Sequence, residues 1–240
     1  MNDDLKQLLA ALKLRRILEI YDRELERIQD QEVSYSEFLG RLLREEYQDK
    51  ERRAAEARLR RAKMPEQWTL DTFPWAKQPG VDRAMMRELA ELDFIGKGEN
   101  IVFIGEPGAG KTGLAISLLR TAVNRGYPGR FIRAQDLFDE MYASLADRST
   151  RKLLDKLVRL PILVVDELGY LNLKPEQSNI FFKLMEERYV ERNATVITTN
   201  MHYDDWGLFL GNQPLTDALL SRIRHRCTTI DIAQGNTLRK

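Results

Sequence analysis

The sequence predicts an α/β fold, a parallel sheet with helices on both faces, preceded by a small all-helical N-terminal domain. Three observations predict it. Before residue 64, apolar residues recur at helical spacing. After residue 100, short apolar runs alternate with helical patterns, the order that joins parallel strands through crossover helices. A glycine-rich loop separates the first of those apolar runs from the helix that follows it.

In the N-terminal segment, Leu5, Leu8, Leu9 and Leu12 repeat at helical spacing, as do Leu14, Ile17, Leu18, Tyr21, Leu25 and Ile28. Residues 3 to about 63 therefore read as helix. Ser34 and Glu37 have capping-box spacing and predict that a second helix starts near Tyr35. That helix runs through Phe38, Leu42, Tyr47 and Leu59 to about Lys63. A helical hairpin of this length has a thin core and is expected to pack on the main domain or on another subunit. Residues 1–64 are read as this domain, for self-association or contact with a partner or DNA. Residues 65–80 are read as a linker. They hold three prolines with Trp68, Phe73 and Trp75, and should lie extended over residues 81–240.

The main domain opens with a predicted helix at 82–93 and a turn at Gly96-Lys97-Gly98. Strands are expected at 101–104, 130–133, 162–165, 194–198 and 228–232. Helices are expected at 111–124, 136–146, 150–159, 175–192 and 214–223. Gly126 and Pro128 end the first of these.

Composition narrows the function classes. The chain has 240 residues, 43% hydrophobic and 31% charged, which suits a globular protein with long charged helices. A net charge of +1 announces no nucleic-acid partner, so any such contact must come from local patches. The single cysteine, Cys227, excludes an intrachain disulfide and a cysteine-zinc cluster, and is read as a small buried residue. No apolar stretch is long enough to span a bilayer, and the first residues lack a signal peptide's pattern. A reducing, cytoplasmic setting is expected.

Chemistry concentrates in four places. Gly105-Glu106-Pro107-Gly108-Ala109-Gly110-Lys111-Thr112, followed by Gly113, fits G-x-x-x-x-G-K-[ST] without a mismatch. Phosphate oxygens need backbone N–H groups aimed inward, and Gly108 and Gly110 remove side chains that would obstruct them. The helix starting at Lys111 turns its positive dipole end to the anion. Lys111 should reach the β- and γ-phosphates and Thr112 should ligate Mg²⁺. The second place is the strand 162–165, which delivers Asp166 to hold Mg²⁺ through water and Glu167 to polarise an attacking water. Third, Val196 to Asn200 is a strand with a polar tip, where the Asn200 amide could orient that water. Fourth, Arg222, Arg224 and Arg226 close a basic helix end. Arginine suits charge spread over phosphoryl oxygens, and Arg222 is favoured as a finger serving a neighbouring subunit's ATP. His202 and His225 have no partners at metal-ligand spacing.

These elements, in this order, resemble an AAA+ ATPase. The wording of the runs Gly105 to Ala115, Leu163 to Tyr170, Glu186 to Tyr189 and Val196 to Asn200 is similar to the IstB family, the ATP-binding transposition helpers of bacterial insertion sequences. The resemblance spans about residues 1 to 235. It implies Walker A at Gly105 to Thr112, Walker B at Asp166 and Glu167, sensor 1 at Asn200 and an arginine finger at Arg222. It also implies ATP-dependent assembly on duplex DNA and communication with a partner transposase. The chain stops soon after the strand near Ile230, so no helical lid and no sensor 2 arginine are expected. The adenine must then be covered by the N-terminal segment, the 65–79 linker or a neighbouring subunit.

From this follows an expected homo-oligomer with ATP at subunit junctions. Phosphate contacts to DNA would come from the Arg52 to Lys63 run and from Arg148, Arg151 and Lys152. A solvated helix face explains those charges equally well. A replicative helicase loader shares the same ATPase core and is the alternative. A P-loop metabolic kinase fits less well, because Asp166, Glu167 and Asn200 suit water activation.

Overall fold

The computed structural model describes residues 1–28, 32–169, 171–232 and 238. Tyr170, within one of the family-like runs, and residues 29–31, within the first helical stretch, lie outside them. The chain divides into two compact units, Met1–Ala57 and Arg58–Lys240.

The first unit is helical: α1 (Asp3–Ala11), α2 (Arg15–Ile28) and most of α3 (Tyr35–Ala62). The Asn2 side chain caps α1 by accepting the Leu5 N–H. The expected continuous helix through Leu12 and Leu14 is corrected. Lys13 takes a left-handed φ of 59° and breaks it. That break lets α2 begin on a tertiary cap. Glu46, buried on α3, accepts the backbone N–H groups of Arg16 and Ile17 at 2.7 and 3.0 Å. The Ser34 hydroxyl accepts the Glu37 N–H as the capping-box spacing predicts, while the Glu37 carboxylate turns to Arg41. The core is small: Leu9, Ile17, Ile20 and Leu42, with Tyr21 edge-on to Phe38.

The second unit carries five parallel strands: β1 (Asn100–Gly105), β2 (Gly129–Arg133), β3 (Ile162–Leu168), β4 (Ala194–Thr199) and β5 (Cys227–Ile232). Their order across the sheet is β2-β3-β4-β1-β5. α4 (Arg83–Leu89), α5 (Asp93–Lys97) and α6 (Lys111–Asn124) pack with one face through Met86, Phe94, Leu114 and Leu118. α7 (Ala134–Ala146), α8 (Thr150–Val158), α9 (Pro175–Val190), α10 (Trp206–Leu210) and α11 (Gln213–His225) cover the other through Phe138, Leu154, Phe181, Trp206 and Leu219. Both faces are thus buried, which explains why the central strands read as unbroken apolar runs.

Two local expectations are corrected. The helix expected at 82–93 ends at Leu89, and Leu92 turns left-handed at φ 70° before α5 starts at Asp93. The turn at Gly96-Lys97-Gly98 instead ends α5, with Gly98 as its left-handed cap. α10 was not foreseen. It is a five-residue helix stabilised by tertiary burial of Trp206 and Leu210, too short to show a period. The proline-rich linker holds one 3₁₀ turn, Trp75–Lys77.

Candidate nucleotide site

The glycine loop joins β1 to α6 at the C-terminal edge of the sheet. Gly108 and Gly110 have φ of 87° and 89°, a left-handed backbone that glycine alone adopts without strain. Gly110 is also the N-cap of α6. With no side chain to satisfy the first-turn N–H groups, it leaves them for a ligand. A Cβ on Gly110 would lie 2.9 Å from the Phe73 ring and 2.8 Å from Leu238, so linker and loop are fitted to each other. Gln78, also from the linker and buried, donates to the Ala109 carbonyl at 2.8 Å and holds the loop from behind.

Lys111 is buried, and its ammonium lies across the loop, donating to the carbonyls of Gly105 (2.6 Å) and Glu106 (2.9 Å). Thr112 donates its hydroxyl to Asp166 Oδ1 at 2.8 Å, joining the loop to β3 across 54 residues of chain. Thr198 on β4 donates to the same oxygen at 2.6 Å and accepts the Glu167 N–H at 2.9 Å. The β3–β4 register shifts between Val165 and Leu168, and Glu167 sits at φ 57°. This is a bulge with a strained acidic residue at its tip, a device that re-aims side chains at a sheet's edge. It explains how two consecutive strand residues, which would normally face opposite ways, both line one cavity.

Burial pushes the Asp166 carboxyl above its ordinary value. The hydroxyls of Thr198 and Thr112 work against that, Glu167 adds to it, and the Arg133 charge opposes it.

The cavity has a volume of about 530 Å³. One end is aromatic and apolar: Pro65, Trp68, Phe73 and Leu238, with Glu66 accepting from the Trp68 indole. The other end is polar and charged: Asp166, Glu167, Asn200 and Arg133. Gly108 to Gly113 run between them. A nucleotide has the same two-ended character. The donor set also fits Mg²⁺. Among the described residues no three His, Cys, Asp or Glu side chains gather for a metal. A cation held by one hydroxyl and one carboxylate must complete its shell from phosphate oxygens and water, which is the habit of Mg²⁺. The Thr112 proton points at Asp166, so its oxygen lone pairs remain for the ion.

Arg222 lies elsewhere. It is on α11, bound to Glu186 at 2.9 Å and to the Ala218 carbonyl, over the Phe182 ring. It does not line the cavity. Arg224 and Arg226 sit over Tyr203 and Tyr189. Cys227 is half-buried and burial pushes its thiol up, away from a reactive thiolate. Among the cavity residues that the motif reading missed are Glu66, Trp68, Phe73 and Arg133. The linker's aromatic content signalled the middle two, and the arginine ending the second apolar strand signalled the last.

Among solved structures, the DnaC helicase loader superposes with a TM-score of 0.59 at 27% identity, over 68% of this chain and 96% of that chain. The replication initiator DnaA bound to AMPPCP and single-stranded DNA shares the fold, with a TM-score of 0.61 at 20% identity over 74% and 53%. Fold and cradle together define an ATP-binding protein of the AAA+ P-loop class. An insertion sequence IS21 ATP-binding protein of Pseudomonas aeruginosa is 35% identical over 95% of this chain and 86% of its own length. One from IS5376 of Geobacillus stearothermophilus is 39% identical over 80% and 76%. The family model described as IstB-like ATP binding protein matches residues 7–240, and the chain belongs to that family. Among the described residues, no helix is long and apolar enough to cross a membrane.

Proposed function

We propose that this chain hydrolyses ATP with Mg²⁺, assembles through ATP on duplex DNA, and in that state activates or targets a partner transposase. The observation that carries the reading is the joining of Thr112, Asp166 and Thr198 at one carboxylate oxygen, with Glu167 and Asn200 lining the same cavity. Lys111 and the loop N–H groups from Gly108 to Gly113 hold the phosphates. Thr112 and Asp166 hold Mg²⁺, which neutralises phosphate charge when bound. Glu167 takes up the proton of an attacking water that Asn200 orients. Trp68 and Phe73 cover the base.

The finger acts between subunits. Arg222 reaches a neighbour's ATP, so only the assembled state gives the γ-phosphate that cation, and ATP favours assembly. To reach a neighbour, Arg222 exchanges its contacts with Glu186 and the Ala218 carbonyl for the phosphate. Assembly lines up weak phosphate contacts from many subunits, so avidity replaces single-subunit affinity. Among the DNA candidates, Arg52 and Arg53 pair with Asp49, Glu56 and Glu46. Arg58 donates to the Val123 carbonyl, and Arg151 pairs with Asp155 and Glu187. Arg60, Arg61, Lys63, Arg148 and Lys152 are exposed and form no ion pair among the described residues, which favours them for DNA.

The likeness to DnaC favours a second reading, a replicative helicase loader. The test is phosphate release and electron microscopy with ATP and duplex DNA, followed by pull-downs against the transposase and the replicative helicase. DNA-stimulated release, ordered assemblies and capture of the transposase alone support the first reading. Capture of the helicase alone replaces it with the second. Absence of phosphate release removes the hydrolase.

A further inference from the structure

We propose that Arg133 is a further nucleotide-contacting residue: from the end of β2 it binds the terminal phosphate of ATP within the same chain and makes the site prefer ATP to ADP. The proposal rests on the reading that the triphosphate runs along the cradle toward Asp166 and Glu167.

Arg133 is the last residue of β2, and its Cα is in register with Asp166 on β3. A strand end at that register puts the residue at the same sheet edge as the acid pair. It lines the cavity together with Lys111, Asp166, Glu167 and Asn200. Its positive charge is felt at Asp166, where it opposes the effect of burial. The neighbouring strand arginine, Arg130, is buried and committed to Glu140. The Arg133 side chain is exposed and makes no hydrogen bond or ion pair among the described residues. It is therefore a long cation, available, beside two carboxylates.

Electrostatics says what such a cation is for. A terminal phosphate placed at this end meets the negative charges of Asp166 and Glu167. Among the described residues, Lys111, from the loop side, is the other basic side chain that lines the cavity. A guanidinium approaching from β2 offsets the repulsion from the opposite side and presents a fork of donors matched to phosphoryl oxygens. ADP ends one phosphate short of this position, so its binding should not involve Arg133. Arg222, on α11, is reserved for a neighbour's site and cannot substitute in an isolated chain.

The test measures equilibrium binding of ATP and ADP, each with Mg²⁺, to the full chain at a dilution that keeps it monomeric. The Glu167→Gln background prevents turnover. Arg133→Met should weaken ATP by about ten- to a hundredfold, the worth of a charge-assisted hydrogen bond, and leave ADP within about twofold. Arg133→Lys should recover part of the ATP loss. An unchanged ATP-to-ADP ratio in Arg133→Met, with both nucleotides still bound, overturns the role of Arg133 alone. So does an equal fall for both nucleotides, or a faster turnover at unchanged ATP affinity when Arg133→Met is made in the otherwise unaltered chain. If the unaltered chain binds neither nucleotide, the reading of the cavity fails and takes this proposal with it. Thermal unfolding of each variant checks that this exposed position leaves the fold intact.

Discussion

Thr198 carries one hydroxyl that does two things. It donates to Asp166 and accepts the backbone N–H of Glu167. The same hydroxyl therefore sets the direction of the buried carboxylate and stabilises the strained backbone next to it. Its neighbours divide the chemistry. Lys111→Ala removes a buried ammonium from the loop and should weaken ATP binding by about 2–3 kcal/mol, read by calorimetry with Mg²⁺. Intact affinity would take Lys111 out of the phosphate site. Glu167→Gln keeps shape and size, so binding should persist while turnover falls by about a hundredfold or more. Retained phosphate release would move the base elsewhere. Arg188 has a different task. It is buried and donates to the carbonyls of Leu157, Leu160 and Ala194 and to Thr195. Burial draws its pKa down to about 9, which still leaves it protonated at neutral pH. Arg188→Leu would strand those carbonyls in the core and should lower unfolding free energy by about 3 kcal/mol in urea titration, with no direct effect on nucleotide. A variant as stable as the parent would mean that water replaces the guanidinium.

At the scale of elements, the loop between β1 and α6 is shaped from two sides. The helix start supplies unpaired N–H groups, and the linker presses Phe73 and Gln78 on its back. Gly110→Ala adds a methyl into that contact at a left-handed φ. It should cost about 1–3 kcal/mol of stability and weaken ATP binding together, because loop and linker must shift. A variant equal to the parent in both would show that the linker yields freely. The motif loop, α6, and the acid pair on β3 were legible in the sequence because each combines a local pattern with a residue order. Lys13 and Leu92 were not. Nothing in a leucine or a lysine announces a left-handed backbone, and only packing on either side of each break requires one. The bulge at Glu167 was equally silent, since it arises from a mismatch between two strands that are distant in sequence.

For the whole molecule, the proposed assembly couples sites that one chain cannot complete. Arg222→Ala should leave ATP binding to the monomer within about twofold while abolishing turnover and ATP-driven assembly on DNA. Mixing it with Glu167→Gln chains should restore part of the turnover, because each supplies what the other lacks. If Arg222→Ala hydrolyses ATP normally, the finger is another residue. DNA binding in the assembled state should fall steeply with salt, with a log–log slope of about −0.9 per phosphate contacted. A flat dependence would exclude a phosphate-dominated contact.

The sequence by itself determined the parallel α/β core, the phosphate loop, the acid pair and the membership of an ATP-binding insertion-sequence family. The first three are written in short-range spacing, where a few consecutive residues carry both the backbone geometry and the chemistry; the family was legible only as a resemblance in the wording of the motifs. The tertiary structure alone decided which distant groups meet: Thr112 and Thr198 on one oxygen of Asp166, the linker's Trp68 and Phe73 at the apolar end of the cavity, Arg133 at the charged end, and Arg222 in the grip of Glu186. Those meetings depend on strand order and register, which no local pattern encodes. They come from burying both faces of the sheet at once.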